Sequence, residues 1–179
     1  MKARCVLLIL AFCAGFHLVA AEQSGAELRK KPVKAEIASK ENSGIGNVRV
    51  IYDDGTSDFW TKKGNCRDAR VAPNGTVGWV VDENLGVPEH PRAFRSTLVL
   101  CRKGRVITTI ECNCPVISDW IFLSSGKQLV ISAGWYHASP RGDYELYETA
   151  TGNCLETVPE NDTNLPKWAK ELVKAEEVN

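Results

Sequence analysis

The chain has 179 residues, 22 basic and 22 acidic side chains, 44% hydrophobic residues, seven cysteines and five tryptophans. A length of this order fits one domain behind a leader. Balanced charge with no basic block excludes phosphate-driven binding to nucleic acid.

The first 21 residues read as a signal peptide. Lys2 and Arg4 form a positive n-region, Val6 to Phe12 is apolar, and Val19-Ala20-Ala21 places small residues before Glu22. Cleavage after Ala21 predicts an exported protein, periplasmic or extracellular. No later segment is apolar over the roughly 20 residues that a span requires, so no membrane span is expected after cleavage. Removing the leader's two basic residues leaves 20 against 22, a net charge of −2.

Residues 22–46 are rich in Lys, Glu, Ser and Gly and carry no aromatic residue. Such a composition buries too little apolar surface to offset its ordering entropy, and the expectation is a mobile polar tether. Regular structure is expected from Asn47. Val48 to Tyr52 and Thr56 to Lys62 flank Asp53-Asp54-Gly55, a hairpin whose Asp-Gly pair suits a tight turn. Asp68 to Pro73 and Thr76 to Asp82 flank Asn74-Gly75 as a second hairpin. Residues 83–96 then break all periodicity with two prolines and a glycine, as a long loop. Thr97 to Cys101 and Arg105 to Cys112 form a third hairpin around Arg102-Lys103-Gly104. Leu98-Val99-Leu100-Cys101 is apolar without alternation, as expected of a strand covered on both faces.

The order then repeats. Asp119 to Leu123 and Lys127 to Ala133 flank Ser124-Ser125-Gly126, and Trp135 to Gly142 is again a Pro-containing loop. Tyr144 to Thr149 and Cys154 to Val158 flank Ala150-Thr151-Gly152-Asn153. The turn glycines set the period: Gly75 to Gly126 spans 51 residues, Gly55 to Gly104 spans 49 and Gly104 to Gly152 spans 48. That spacing matches the roughly 40 to 50 residues of a four-stranded propeller blade. After residue 158, a C-terminal segment over 159–179 carries Leu165, Trp168, Ala169, Leu172 and Val173 on one stripe of a helix. Asn164 is its expected N-cap, and the stripe is expected to pack on the sheet domain.

The units resemble WD40-like β-propeller blades. Val71-Ala72-Pro73-Asn74-Gly75-Thr76-Val77-Gly78-Trp79 and Trp120-Ile121-Phe122-Leu123-Ser124-Ser125-Gly126-Lys127-Gln128-Leu129-Val130 are similar to a blade's first hairpin. Tyr144 to Leu155, turning at Thr151-Gly152, is similar to its second. The Gly-His and Trp-Asp signatures of that family are absent, and the chain looks like short exported bacterial proteins of this repeat type. The resemblance covers residues 47–158 and implies an all-β fold. About ten antiparallel strands form two full propeller-like units and an N-terminal hairpin, capped by an amphipathic helix. Ten strands make two and a half blades, too few to close a ring of about four or more.

Five cysteines follow the leader: Cys66, Cys101, Cys112, Cys114 and Cys154. An exported chain can form disulfides among them, and an odd number leaves one thiol over in a monomer. Cys112 and Cys114 would make a strained pair, so each is expected to reach elsewhere, with the pairing open. Cys112-Asn113-Cys114 lacks a second ligand pair at zinc-site spacing; neither a metal nor another cofactor is expected.

The two long loops are the candidate binding site, because they recur at the same point in each unit. One holds His90 and Arg92, the other Trp135, Tyr136, His137 and Arg141. An aromatic, imidazole and guanidinium set suits a small anion, a sugar or a peptide carboxylate. No Gly-x-Ser-x-Gly elbow, His-Glu-x-x-His or phosphate-cradling loop occurs. The expectation is a non-catalytic module binding a protein or small ligand. The alternatives are an assembly protein joined through sheet edges or the helix, and an unrecognised hydrolase using His90 and His137.

Overall fold

The computed structural model describes residues 30–39, 46–60, 65–85, 94–135 and 142–177. Eleven strands and one helix occur among them, in the order β1 (Pro32–Ser39), β2 (Gly46–Tyr52), β3 (Ser57–Trp60), β4 (Asn65–Val71), β5 (Val77–Asn84), β6 (Phe94–Arg102), β7 (Arg105–Glu111), β8 (Val116–Phe122), β9 (Gln128–Gly134), β10 (Gly142–Glu148), β11 (Cys154–Pro159) and α1 (Lys167–Glu176). The strands form three antiparallel meanders: β1-β2-β3, β4-β5-β6-β7 and β8-β9-β10-β11. The fold is all-β with one C-terminal helix.

The turn glycines behave as their spacing requires: Gly55, Gly75, Gly104, Gly126 and Gly152 all lie at φ between +66° and +80°. At Gly126 a second constraint applies. A Cβ there would sit 2.9 Å from the Ala72 Cβ, because the β8–β9 turn rests directly on the β4–β5 turn.

The sheets stack in chain order, and burial follows strand alternation. Val77, Trp79, Val81, Val99 and Cys101 pack with Val48 and Val50 of the first sheet. Val80, Leu98, Leu100 and Ile110 pack with Ile117, Trp120, Leu129, Ile131 and Ala133 of the third. The second sheet is therefore covered on both faces, which explains the unbroken apolar run at Leu98 to Cys101. Gly78 permits this approach: a Cβ there would lie 2.6 Å from the Trp120 ring. The third sheet turns Val130, Tyr144 and Leu146 the other way, onto Ala169 and Leu172 of α1. The predicted stripe is the packed face.

Four expectations need correction. Residues 32–39 are not part of a mobile tether; they form β1, paired with β2 along its length. Lys34 and Glu36 alternate with Ala35 and Ile37, which pack against the second sheet. Composition averaged over 22–46 conceals that alternation, and the burial is supplied by residues far away in sequence. The N-terminal hairpin is thus a three-stranded sheet, and the strand count is eleven. The loop expected over 83–96 is shorter, since Glu83 pairs with Arg95 and Asn84 with Phe94. Cys112, expected as the last residue of a strand, lies with Cys114 in the link between β7 and β8. Finally, α1 is capped at Pro166 without a side-chain bond; Asn164 instead donates its N–H to the Asp162 carboxylate at 2.7 Å.

Candidate functional site

Strand direction gathers the candidate loops. The Asn74 side-chain amide donates to the Gly126 carbonyl at 2.7 Å, so the β4–β5 and β8–β9 turns share one end of the stack. The β5–β6 and β9–β10 connections must leave from the opposite end. His90, Arg92, Tyr136, His137 and Arg141 lie outside the described residues. Trp135 is described: it follows the last residue of β9 and is 60% exposed. Leu85 follows the last residue of β5 and is 47% exposed. Each unit therefore ends its second strand on an exposed apolar side chain at the same end of the stack.

The base of this end is rigid. The Arg67 guanidinium donates to Asp82 at 2.7 and 3.3 Å, to the Ser96 hydroxyl at 3.3 Å and to the Ile117 carbonyl at 2.6 Å. Ser96 also donates its hydroxyl to Asp82 at 2.7 Å and its N–H to the Pro115 carbonyl at 2.7 Å. A charged, multiply bonded node of this kind ties the second sheet to the first strand of the third. Sequence reasoning missed it, although Asp82 and Ser96, polar residues in apolar strands, are a usable signal.

Beneath Trp135 lies a cluster of thiols and carboxylates. Cys114 is buried, and its thiol is pushed up by that burial and then by Asp143, Glu145 and Glu160. Glu145 is fully buried; it accepts the Asn113 N–H at 3.2 Å and a short hydrogen bond from the Tyr147 hydroxyl. Burial, with Glu145 beside it, pushes the Cys112 thiol far up, and burial does the same to the Tyr147 hydroxyl. Thiols held protonated are poor nucleophiles at neutral pH. Neither thiol of this cluster is suited to fast nucleophilic attack at neutral pH.

A second cluster sits at two equivalent bulges. β4 slips register between Arg67 and Arg70, and β8 between Ile117 and Asp119. Asp68 and Asp119 fall 51 residues apart, the repeat spacing, and both bind Arg70, at 2.9 and 2.6 Å. The guanidinium lies over the Trp120 ring, 5.4 Å from its centre, and the Trp120 indole N–H donates to the Asp68 carbonyl at 3.2 Å. Arg70 is bonded to both of the sheets it joins, and its role is a clamp. An open cleft beside it is lined by Asp68, Ala69, Ser118, Asp119 and Glu176. Glu176 is raised there by burial and then by Asp119 and Glu160.

Among the described residues, no group of three His, Cys, Asp or Glu is close enough together to hold a metal. No described helix is long and apolar enough to cross a membrane. No family model matches the chain, and no curated protein matches it.

Proposed function

We propose that this chain is an exported, non-catalytic module of WD40-like β-repeats. It binds a protein or small ligand at the end of the stack that carries the middle connections. The observation that supports this reading is Trp135, a ring 60% exposed at the strand end where the long connection begins. An exposed aromatic on a rigid base is a common anchor at binding surfaces. Tyr136, His137 and Arg141 follow it in sequence, and His90 and Arg92 occupy the equivalent connection. That side-chain set favours a ligand with an anionic group, such as a peptide carboxylate or an acidic sugar.

The test is thermal unfolding of the mature chain against a panel of small anions, sugars and peptides with free carboxylates. A true ligand at 100 times its Kd stabilises the chain by about 2.7 kcal/mol. Trp135→Ala and the double variant His137→Ala, Arg141→Ala are each expected to lose that stabilisation. Retention of it in both variants removes the site from this end of the molecule.

An assembly role has one observation in its favour. Ile107 and Leu155, 48 residues apart, are each left unpaired by bulges in the outermost strands of their sheets, and both are exposed. Sedimentation of the mature chain at micromolar concentration tests this role, because a monomer excludes it.

A further inference from the structure

The five cysteines are sorted by the fold. Cys66 lies opposite Val81, which lies opposite Thr97, and Cys101 is four residues further along β6. Two strands and four residues amount to about 16 Å, well beyond the roughly 7 Å that a disulfide tolerates between Cα atoms. Cys114 faces Trp135 and Asp143. The two remaining thiols, Cys112 and Cys154, both lie beside Tyr147. Cys154 opens β11 directly opposite Tyr147, and such partners project from the same face. The Tyr147 hydroxyl donates to Glu145, whose second oxygen accepts the N–H of Asn113, the residue after Cys112. One chain of contacts thus runs from Cys154 through Tyr147 and Glu145 to the β7–β8 link. Cys112 itself packs on the core cluster that includes Tyr147.

We propose that Cys112 and Cys154 are a dithiol–disulfide pair, closed by a low-molecular-weight disulfide and joining the β7–β8 link to the outer edge strand of the third sheet. The order of attack follows from exposure. Cys154 is exposed and Cys112 is not, so the Cys154 thiolate attacks the small disulfide first and releases one thiol. Cys112 then loses its proton and attacks the Cys154 sulfur of the mixed disulfide, and the second small thiol leaves. Two protein thiols are oxidised, one small disulfide is reduced, and the two protons end on the two thiols released. Burial of Cys112 makes the second step the slow one, faster as pH rises.

The consequence is mechanical. β11 is an edge strand paired only with β10 among the described residues, and the bond would pin it to the link that follows the second sheet. The cross-link closes a chain loop spanning β8, β9 and β10 and so constrains the unfolded state.

The experiment equilibrates the full chain with reduced and oxidised glutathione at a series of ratios, traps free thiols by alkylation and maps linkages by tandem mass spectrometry. The expected product is a monomer with Cys112 bonded to Cys154. Its thermal midpoint should lie about 5 °C or more above that of the reduced chain. Cys114→Ser keeps the bond and the shift. Cys154→Ser, an exposed change that leaves the fold intact, loses both. A bond between Cys112 and Cys114, a Cys154-linked dimer, or a persistent glutathione adduct on Cys154 overturns the proposal.

Discussion

At one end of the sheet stack the outward face consists of Lys34, Glu36, Arg49, Ile51 and Phe59; at the other it consists of Val130, Tyr144 and Leu146 beneath a helix. The first face meets solvent through ion pairs, Lys34 to Glu36 at 2.9 Å and Arg49 to Glu36 at 3.4 Å. The second is apolar and would expose a large patch without α1. A stack of sheets needs a closing layer on each outer face, and this chain uses two different ones. A polar three-stranded sheet closes one end, and an amphipathic helix held by its stripe closes the other. The Trp168 indole N–H, donated to the Glu156 carboxylate at 2.9 Å, fixes the helix against β11.

The difference implies unequal sensitivity to substitution. Leu172 is fully buried beneath the helix, and Leu172→Ala should cost about 2–5 kcal/mol in urea unfolding. Phe59 is 61% exposed at the polar end, and Phe59→Ser should change stability by no more than about 0.5 kcal/mol. A large loss at Phe59 would mean that the polar end is covered by a partner.

Alkali should loosen both ends together. Burial and Asp58 push Tyr52, behind the polar face, up to about 12 from its ordinary 10. Burial also raises Tyr144 under the helix. A tyrosine whose folded pKa is raised stabilises the chain fully below the unfolded value and loses that contribution as pH climbs through the folded one. Stability should therefore fall between pH 10 and 12, and Tyr52→Phe should flatten that decline when unfolding is followed across this range.

The smallest effect is expected at Glu36. Lys34 and then Arg49 hold its carboxyl below the usual range, so its contribution is present above the unfolded pKa and fades only as acid protonates the folded group. The site is open to solvent, where such pairs contribute little. Glu36→Gln should leave the neutral-pH midpoint unchanged, and a measurable drop would show that the ion-pair face supports the sheet.

Much of this architecture was legible in the chain. Turn glycines at a period of 48 to 51 marked the hairpins of both units, since few other residues tolerate positive φ at a tight turn. The apolar run at Leu98 to Cys101 announced a strand buried on two faces, and the stripe from Leu165 to Val173 announced the capping helix. β1 was not legible, because its alternation is weak and its burial comes from strands far along the chain. The Arg67 node and the Arg70 clamp were equally hidden. Each joins residues about 50 apart across two sheets, and register slips at the bulges decide which side chains meet. Of the candidate site, sequence alone singled out Trp135, while the carboxylates and thiols beneath it emerged only from the fold.

The sequence by itself determined local events: where the chain turns, which strands alternate, and which helix face is apolar. These follow from steric limits on φ and from periodicity, both read within a few residues. The tertiary structure alone decided that the sheets stack in chain order, that residues 32–39 pair into the first sheet, and that Arg67 and Arg70 bridge the second sheet to the third. Those outcomes depend on the packing of sheet faces about 10 Å apart, a distance that no window along the chain can sense.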